Sequence, residues 1–240
     1  VQIICLERME STLDSLLGEE ITDDEWRSCL FQIIMTLVSY QKMFNFTHND
    51  LHTNNIMFNK TDKQYIYYRY NKVYYKVPTY GRLFKIIDFG RSIYSFKGTF
   101  ICSDSFHPKG DAATQYNCEP YMNSNKPRLD PNPSFDLCRL ACALYDFFMD
   151  DIEDVNTCGD PIAALINEWC TDDKGRNILY KKCGEERYPD FKLYKMIART
   201  VHNHTPEKQV TKTVFQKFVS NRKKVGKKRY IDIDALPVYA

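Results

Sequence analysis

The stretch HNDLHTNN at residues 48–55, followed by DFG at residues 88–90, decides how this 240-residue chain is interpreted. The first stretch consists mainly of side chains that favour turns over regular structure, so it predicts a polar loop. An apolar run at residues 83–87 comes directly before the second stretch and predicts a strand that ends at Asp88. Gly90 permits the backbone turn by which the chain leaves that strand.

Apolar residues that recur at three- and four-residue intervals predict the helices. The longest begins at Thr22, which has capping-box spacing with Glu25, and ends near Asn45. An almost wholly buried helix is predicted at residues 135–148, whereas residues 92–133 show little periodicity and predict a long irregular segment. Shorter helices fit residues 12–17, 161–170, 191–202 and 211–221, and strands fit residues 1–6, 56–58 and 83–87.

Tyrosines dominate residues 64–77, where Asn71 and Lys72 mark the turn of a predicted β-hairpin. Their rings can stack on nucleic-acid bases, or they can pack against each other across the two strands. Packing within the hairpin is the simpler interpretation, because aromatic residues pair favourably across strands.

The composition is that of a soluble globular protein, with 43% hydrophobic residues, 27% charged residues and a formal charge of +2. No run approaches the roughly 18 apolar residues of a membrane-spanning helix, and no secretory signal opens the chain. We therefore expect an intracellular, cytoplasmic protein without a membrane partner. The nine cysteines include no C-x-x-C pair, which favours free thiols over a metal site. The basic run at residues 222–229 either faces solvent or contacts an acidic partner or nucleic acid.

The order H-x-D-L-x-x-x-N and then D-F-G resembles the C-terminal lobe of the eukaryotic-type protein kinase family. The similarity covers most of the chain and is strongest at residues 22–90 and 135–148. It implies an α+β, mainly helical fold with small β-hairpins. The resemblance implies a last small-lobe strand and hinge at 1–10 and a large lobe at 11–240. Within the large lobe it implies a catalytic loop at 48–55, an inserted hairpin at 64–77, the DFG turn at 88–90 and an activation-like segment at 91–133.

The resemblance implies ATP and Mg²⁺ as cofactors and a protein serine or threonine as the acceptor. Phosphoryl transfer needs a carboxylate near the attacking hydroxyl and oxygen ligands that hold magnesium against the polyphosphate. Asp50 would orient or deprotonate the hydroxyl, whereas Asn55 and Asp88 offer hard oxygen ligands for Mg²⁺. His52 would lie near the transferred group, either as a phosphate contact or as a structural hydrogen-bonding residue.

Four further residues acquire roles through the resemblance alone. Backbone groups of Glu7 and Met9 would contact adenine. Met57 would form the floor of the adenine pocket, or it is simply a core side chain on a strand. Asp136 would brace the catalytic loop, and an acidic residue at a helix N-terminus is also favoured by the helix dipole.

The chain departs from the family pattern at several positions. Asn49 replaces an arginine, so we do not expect activation by phosphorylation of the long segment. His52 is similar to the histidine of haspin-like kinases and of aminoglycoside phosphotransferases, and FDLCRL at residues 135–140 also resembles haspin. No A-P-E motif closes residues 91–133, which argues against ordinary peptide docking. The inserted tyrosine-rich hairpin resembles, in texture, kinases of large DNA viruses, which would place the protein in a host cell or virion.

The 240 residues contain no G-x-G-x-x-G loop, and no residue matches the strand lysine that grips the phosphates. We therefore expect the small lobe to be largely absent and this chain alone to be poorly active. Three functions remain open: a protein kinase, a small-molecule kinase of the aminoglycoside-phosphotransferase type, and a pseudokinase or scaffold. The presence of Asp50, Asn55 and Asp88 together favours an enzyme, and the long segment after DFG favours protein substrates.

Overall fold

A computed structural model describes residues 5–149, 159–226 and 229–240, which form a mixed arrangement of helices and small sheets. The α-helices are α1 (Asp23–Phe44), α2 (Phe135–Met149), α3 (Pro161–Trp169), α4 (Lys192–Thr200), α5 (Pro206–Val210) and α6 (Arg222–Val225). The strands are β1 (Ser11–Thr12), β2 (Ile56–Lys60), β3 (Tyr65–Tyr70), β4 (Val73–Pro78), β5 (Arg82–Ile86), β6 (Ile93–Phe96), β7 (Thr99–Cys102), β8 (Val219–Ser220) and β9 (Ile231–Asp232). Within these ranges, no helix combines the length and apolar character needed to cross a bilayer.

Helix α1 is the central element, and its ends lie where the sequence predicts them. The Thr22 side chain accepts from the Glu25 backbone N–H, and the Glu25 carboxylate accepts from the Thr22 backbone, so the predicted capping box is confirmed. The helix ends at Asn45, which adopts a left-handed conformation with φ of 49°. Much of α1 is buried, and it contacts α3, α5, β4 and β5.

Two small sheets pack against this helix. In the first, β2 lies between β1 and β5, and both pairings are antiparallel. In the second, the predicted hairpin β3–β4 is confirmed and is extended by β8 on one side and by β9 on the other. Tyr68 and Tyr75 of the hairpin are buried against Phe31 of α1, with ring centroids 6.4 and 5.3 Å from it. Part of the tyrosine excess therefore serves to join this sheet to the core.

Helices α2 and α3 complete the core on another side of α1. The fully buried apolar side chains of α3 include Ile162, Ile166 and Trp169, and those of α2 are Phe135, Leu137, Cys138, Leu140, Ala141 and Leu144. Trp26 of α1 packs against the rings of Phe147 and Phe148 near the end of α2. At the other end of α2, the first turn is fully buried at residues 135–138, and this turn supports the candidate site.

Two predictions of secondary structure were wrong. Residues 92–133, for which the sequence predicts an irregular segment, contain the hairpin β6–β7 with its turn at Lys97 and Gly98. Residues 211–221 form a 3₁₀ segment, Thr213–Phe218, followed by β8, because the chain there pairs with the edge of β4. The short helix predicted at 12–17 is present as a 3₁₀ helix, Asp14–Gly18. The predicted strand at 1–6 lies largely outside the described residues, and Cys5 and Leu6 have no regular structure.

Candidate functional site

The backbone of the polar loop, residues 48–55, is hydrogen-bonded to the carboxylate of Asp136 on α2. The backbone N–H groups of His48 and Asn49 donate to its two oxygens, each at 2.9 Å, and Asp136 is fully buried. Burial raises the pKa of the Asp136 carboxyl, while the nearby His48 and the two backbone donors act in the opposite direction. Asp136 therefore braces the loop, in agreement with the role that the sequence suggested.

Asn49 connects the polar loop to the segment that follows DFG. It is fully buried and left-handed, with φ of 66°. Its amide nitrogen donates to the backbone oxygen of Arg91 at 2.9 Å, and its oxygen accepts from the Tyr116 hydroxyl at 2.7 Å. The resemblance indicated only that asparagine stands where the family pattern has arginine. The tolerance of asparagine for positive φ was the one signal that could have indicated this structural role.

Asp50 presents its carboxylate beside two partners that lie far away in the sequence. Its Oδ1 accepts from the Tyr194 hydroxyl of α4 at 2.7 Å, and its Oδ2 lies 3.5 Å from the Arg91 guanidinium. The side-chain amide of Asn55 donates to the Asp50 backbone oxygen at 2.9 Å. Sequence reasoning missed Tyr194 and Arg91, because nothing in their local sequence marks a contact across such distances.

The Asp88 turn, residues 88–91, lies directly beside the polar loop. The Ile87 N–H donates to the Asn55 backbone oxygen at 3.0 Å, and the His48 ring lies 2.8 Å from the Ile87 backbone oxygen. Asp88 itself is exposed and left-handed, with φ of 59°, and its side chain accepts from the Gly90 N–H at 3.2 Å. The structure thus brings Asp50, Asn55 and Asp88 to one site.

His52 occupies the same site and is half-buried. Burial lowers the pKa of its ring, and the charge of Arg139 lowers it further, whereas Asp50 and Asp88 act to raise it. The neutral imidazole is therefore favoured at neutral pH. A role of His52 near a transferred group stays a prediction, and its chemistry would be that of a neutral hydrogen-bonding residue.

The residues predicted to hold adenine lie along the sheet that contains β2. Met57 is half-buried on β2 and pairs with Thr12 of β1 and Lys85 of β5. The Glu7 carboxylate contacts the ammonium group of Lys85 and accepts from Asn59, which fixes the segment before β1 at the edge of this sheet. Met9 lies in that segment and is half-buried. An adenine site at these three residues stays a prediction.

An apolar cavity adjoins the Asp88 turn. Its volume is about 340 Å³, and its lining consists of Tyr40, Phe44, Phe46, Phe89, Ser92 and Tyr94. Phe89 is 46% exposed, and its ring contacts those of Tyr40, Phe46 and His48. The middle residue of DFG therefore joins an aromatic cluster at the end of α1.

Two other sequence features lie apart from these groups. The Arg222 guanidinium lies over the rings of Tyr74 and Tyr230, at 5.9 and 5.2 Å, so the start of the basic run packs on the tyrosine-rich sheet. Lys227 and Lys228 of that run lie outside the described residues. The cysteines that the structure describes are free thiols, and no group of three or more His, Cys, Asp or Glu side chains among the described residues could hold a metal ion.

Comparison with known proteins gives a partial similarity to a kinase. Over 52 residues, the chain is 44% identical to a Dictyostelium discoideum protein described as a probable serine/threonine-protein kinase. The aligned stretch is 21% of this chain and only 4% of the length of that protein. No family model matches the chain. The similarity supports a relationship to serine/threonine kinases at this coarse level.

Proposed function

We propose that this chain carries the catalytic site of a phosphotransferase that moves the γ-phosphoryl group of ATP to a protein serine or threonine, with Mg²⁺. One observation carries the proposal: Asp50, Asn55 and Asp88 lie together, joined through the Asn55 contacts to the Asp50 oxygen and the Ile87 N–H. Phosphoryl transfer depends mainly on positioning and on neutralising charge, and these side chains are of the types that do both. The partial similarity to a probable serine/threonine kinase agrees with this assignment.

The residues present fit a magnesium ion by the chemistry of their donor atoms. Asn55 uses its amide nitrogen to contact Asp50, which leaves its oxygen as the coordinating atom, and Asp88 offers an exposed carboxylate. Magnesium prefers such hard oxygen ligands, takes one or two protein groups and retains several waters. Asn55 and Asp88 would therefore hold the ion. When bound, it would neutralise negative charge on the polyphosphate.

The remaining roles follow from the same arrangement. Asp50 would accept a hydrogen bond from the acceptor hydroxyl and orient it for attack. His52, as a neutral imidazole, would donate a hydrogen bond near the transferred group. The backbone of Glu7 and Met9, with the side chain of Met57, would bind adenine. We propose on this basis that the described residues form the large lobe of a protein-kinase-like fold.

Transfer of labelled phosphate tests the proposal. The full-length protein is incubated with Mg²⁺ and γ-labelled ATP and with basic proteins, acidic proteins and sugars as separate acceptors. We expect label in protein, and we expect Asp88→Asn to reduce the rate by at least about a hundredfold, because a neutral amide replaces a negatively charged metal ligand. Asp62→Asn is the matched control, since Asp62 is an exposed aspartate away from the site.

Each result of this experiment has a defined meaning. Label in sugars and not in proteins would favour a small-molecule kinase. An Asp88→Asn protein as active as its parent would show that the role given to Asp88 is wrong. Absence of transfer to every acceptor would favour a scaffold over an enzyme.

A further inference from the structure

We infer that Tyr194 is a positioning residue that holds the carboxylate of Asp50 for the acceptor hydroxyl. This inference rests on the proposed function and concerns a residue 144 positions away from Asp50 in the chain. The Tyr194 hydroxyl contacts Asp50 Oδ1 at 2.7 Å, which is a typical distance for a hydrogen bond from a hydroxyl to a carboxylate. No feature of the sequence around Tyr194 indicates this contact.

Arg139 fixes the direction of the hydrogen bond. Its Nε donates to the Tyr194 hydroxyl oxygen at 2.8 Å. A guanidinium group has donors and no acceptor, so the phenol must accept from Arg139, and its single proton is left for Asp50. The chain of donors therefore runs from Arg139 through Tyr194 to the carboxylate of Asp50. In this series of hydrogen bonds, Arg139 can only donate, the ionised Asp50 carboxylate can only accept, and the Tyr194 hydroxyl does both.

The ring of Tyr194 is held on several sides, which keeps its hydroxyl in place. It stacks on Phe191 with centroids 5.2 Å apart and an interplanar angle of 21°, and Phe135 of α2 lies 6.0 Å away. The guanidinium groups of Arg91 and Arg139 lie 5.7 and 5.1 Å from its centroid. A ring fixed in this way loses little further freedom when its hydroxyl binds Asp50.

Helix α2 consequently supports the candidate base in two ways. Asp136 holds the backbone of the polar loop, and Arg139, three residues later, holds the Asp50 carboxylate through Tyr194. Because Tyr194 contacts Oδ1, Oδ2 is the oxygen that an acceptor hydroxyl would contact. Oδ2 lies 3.5 Å from Arg91, so the acceptor would approach beside this cation.

The opposite role for Tyr194 is a block, in which its hydroxyl occupies the place of the acceptor. The two roles predict opposite effects of Tyr194→Phe, which removes the hydroxyl and keeps the ring. For a positioning residue, we expect kcat to fall about tenfold or more, with an unchanged KM for ATP, because a hydrogen bond to a charged group is lost. Tyr145→Phe is the matched control. The Tyr145 hydroxyl lies 3.4 Å from Asn167 Oδ1 and does not contact the site, so its loss should leave kcat unchanged.

A double-mutant cycle separates positioning from general support of the fold. Arg139→Gln alone should also lower kcat, but in the Tyr194→Phe background it should cost much less, because the hydroxyl through which it acts is gone. Thermal unfolding of each variant establishes that it is folded. If Tyr194→Phe does not fold, Arg139→Gln alone decides the question, and an unchanged kcat would overturn the inference.

Two outcomes distinguish a failure of the inference about Tyr194 from a failure of the proposed function. If the parent protein transfers phosphate and Tyr194→Phe is equally or more active, the inference about Tyr194 is wrong and the proposed function stands. If the parent transfers no phosphate to any acceptor, the proposed function fails, and the role of Tyr194 fails with it.

Discussion

The polar loop and the Asp88 turn adjoin each other in the site, yet they are held in different ways. In the polar loop, His48, Asn49, Leu51, Thr53 and Asn55 are buried, and a fully buried carboxylate on α2 binds its backbone. In the Asp88 turn, residues 88–90 are exposed, and a local contact from Gly90 to Asp88 shapes the backbone. Loss of Asp136 beneath the loop should therefore lower stability, whereas a change of the exposed Asp88 side chain should affect the proposed site and leave stability nearly unchanged.

The largest effect is expected beneath the polar loop. Asp136→Ala leaves the backbone N–H groups of His48 and Asn49 buried without an acceptor. We expect the free energy of unfolding to fall by about 3 kcal/mol. Urea denaturation measures this, with Asp62→Ala, an exposed aspartate, as a control that should change by less than about 0.5 kcal/mol. Equal values for the two variants would contradict the idea that Asp136 supports the loop.

A smaller effect is expected where the two regions meet. Asn49→Ala removes the contacts with Arg91 and Tyr116 and places alanine at a left-handed position. We expect a loss of about 2 kcal/mol in the free energy of unfolding. Asn49→Gly removes the same contacts without the backbone strain and should be the less destabilised of the two in urea denaturation. The reverse order would show that the conformation of Asn49 is not strained for alanine.

The smallest effect on stability is expected in the Asp88 turn. Asp88→Asn changes an exposed side chain and retains an oxygen that can accept from the Gly90 N–H. Urea denaturation should give a free energy of unfolding within about 0.5 kcal/mol of the parent. A loss as large as that of Asp136→Ala would remove the distinction between the two regions.

Local signals explain which parts of this structure the sequence could predict. The capping box at Thr22, the apolar spacing of α1 and the hairpin turn at Asn71 and Lys72 each depend on residues close together in the chain. The grouping of Asp50, Asn55 and Asp88 was predicted through a resemblance, and the β2–β5 pairing, with Ile56 opposite Ile86, is what brings the two polar segments together.

The features that the sequence did not show depend on distant contacts. The 3₁₀ segment and strand at 213–220 replace a predicted helix because β8 pairs with β4, and Tyr194 reaches Asp50 from α4. The hairpin β6–β7 is different, because its turn residues, Lys97 and Gly98, lie directly between the two paired strands and are visible in the local sequence. The many turn-forming residues that follow this hairpin give the segment as a whole the composition of an irregular loop.

Paramagnetic broadening by Mn²⁺ in the presence of ATP tests the central claim most directly, because Mn²⁺ accepts the same oxygen ligands as Mg²⁺. In NMR spectra of the isotopically labelled protein, we expect the backbone amides next to Asn55 and Asp88 to broaden first, and we expect Asp88→Asn to weaken this effect strongly. Broadening that is centred elsewhere, or that Asp88→Asn leaves unchanged, would contradict a shared metal and nucleotide site at Asp50, Asn55 and Asp88.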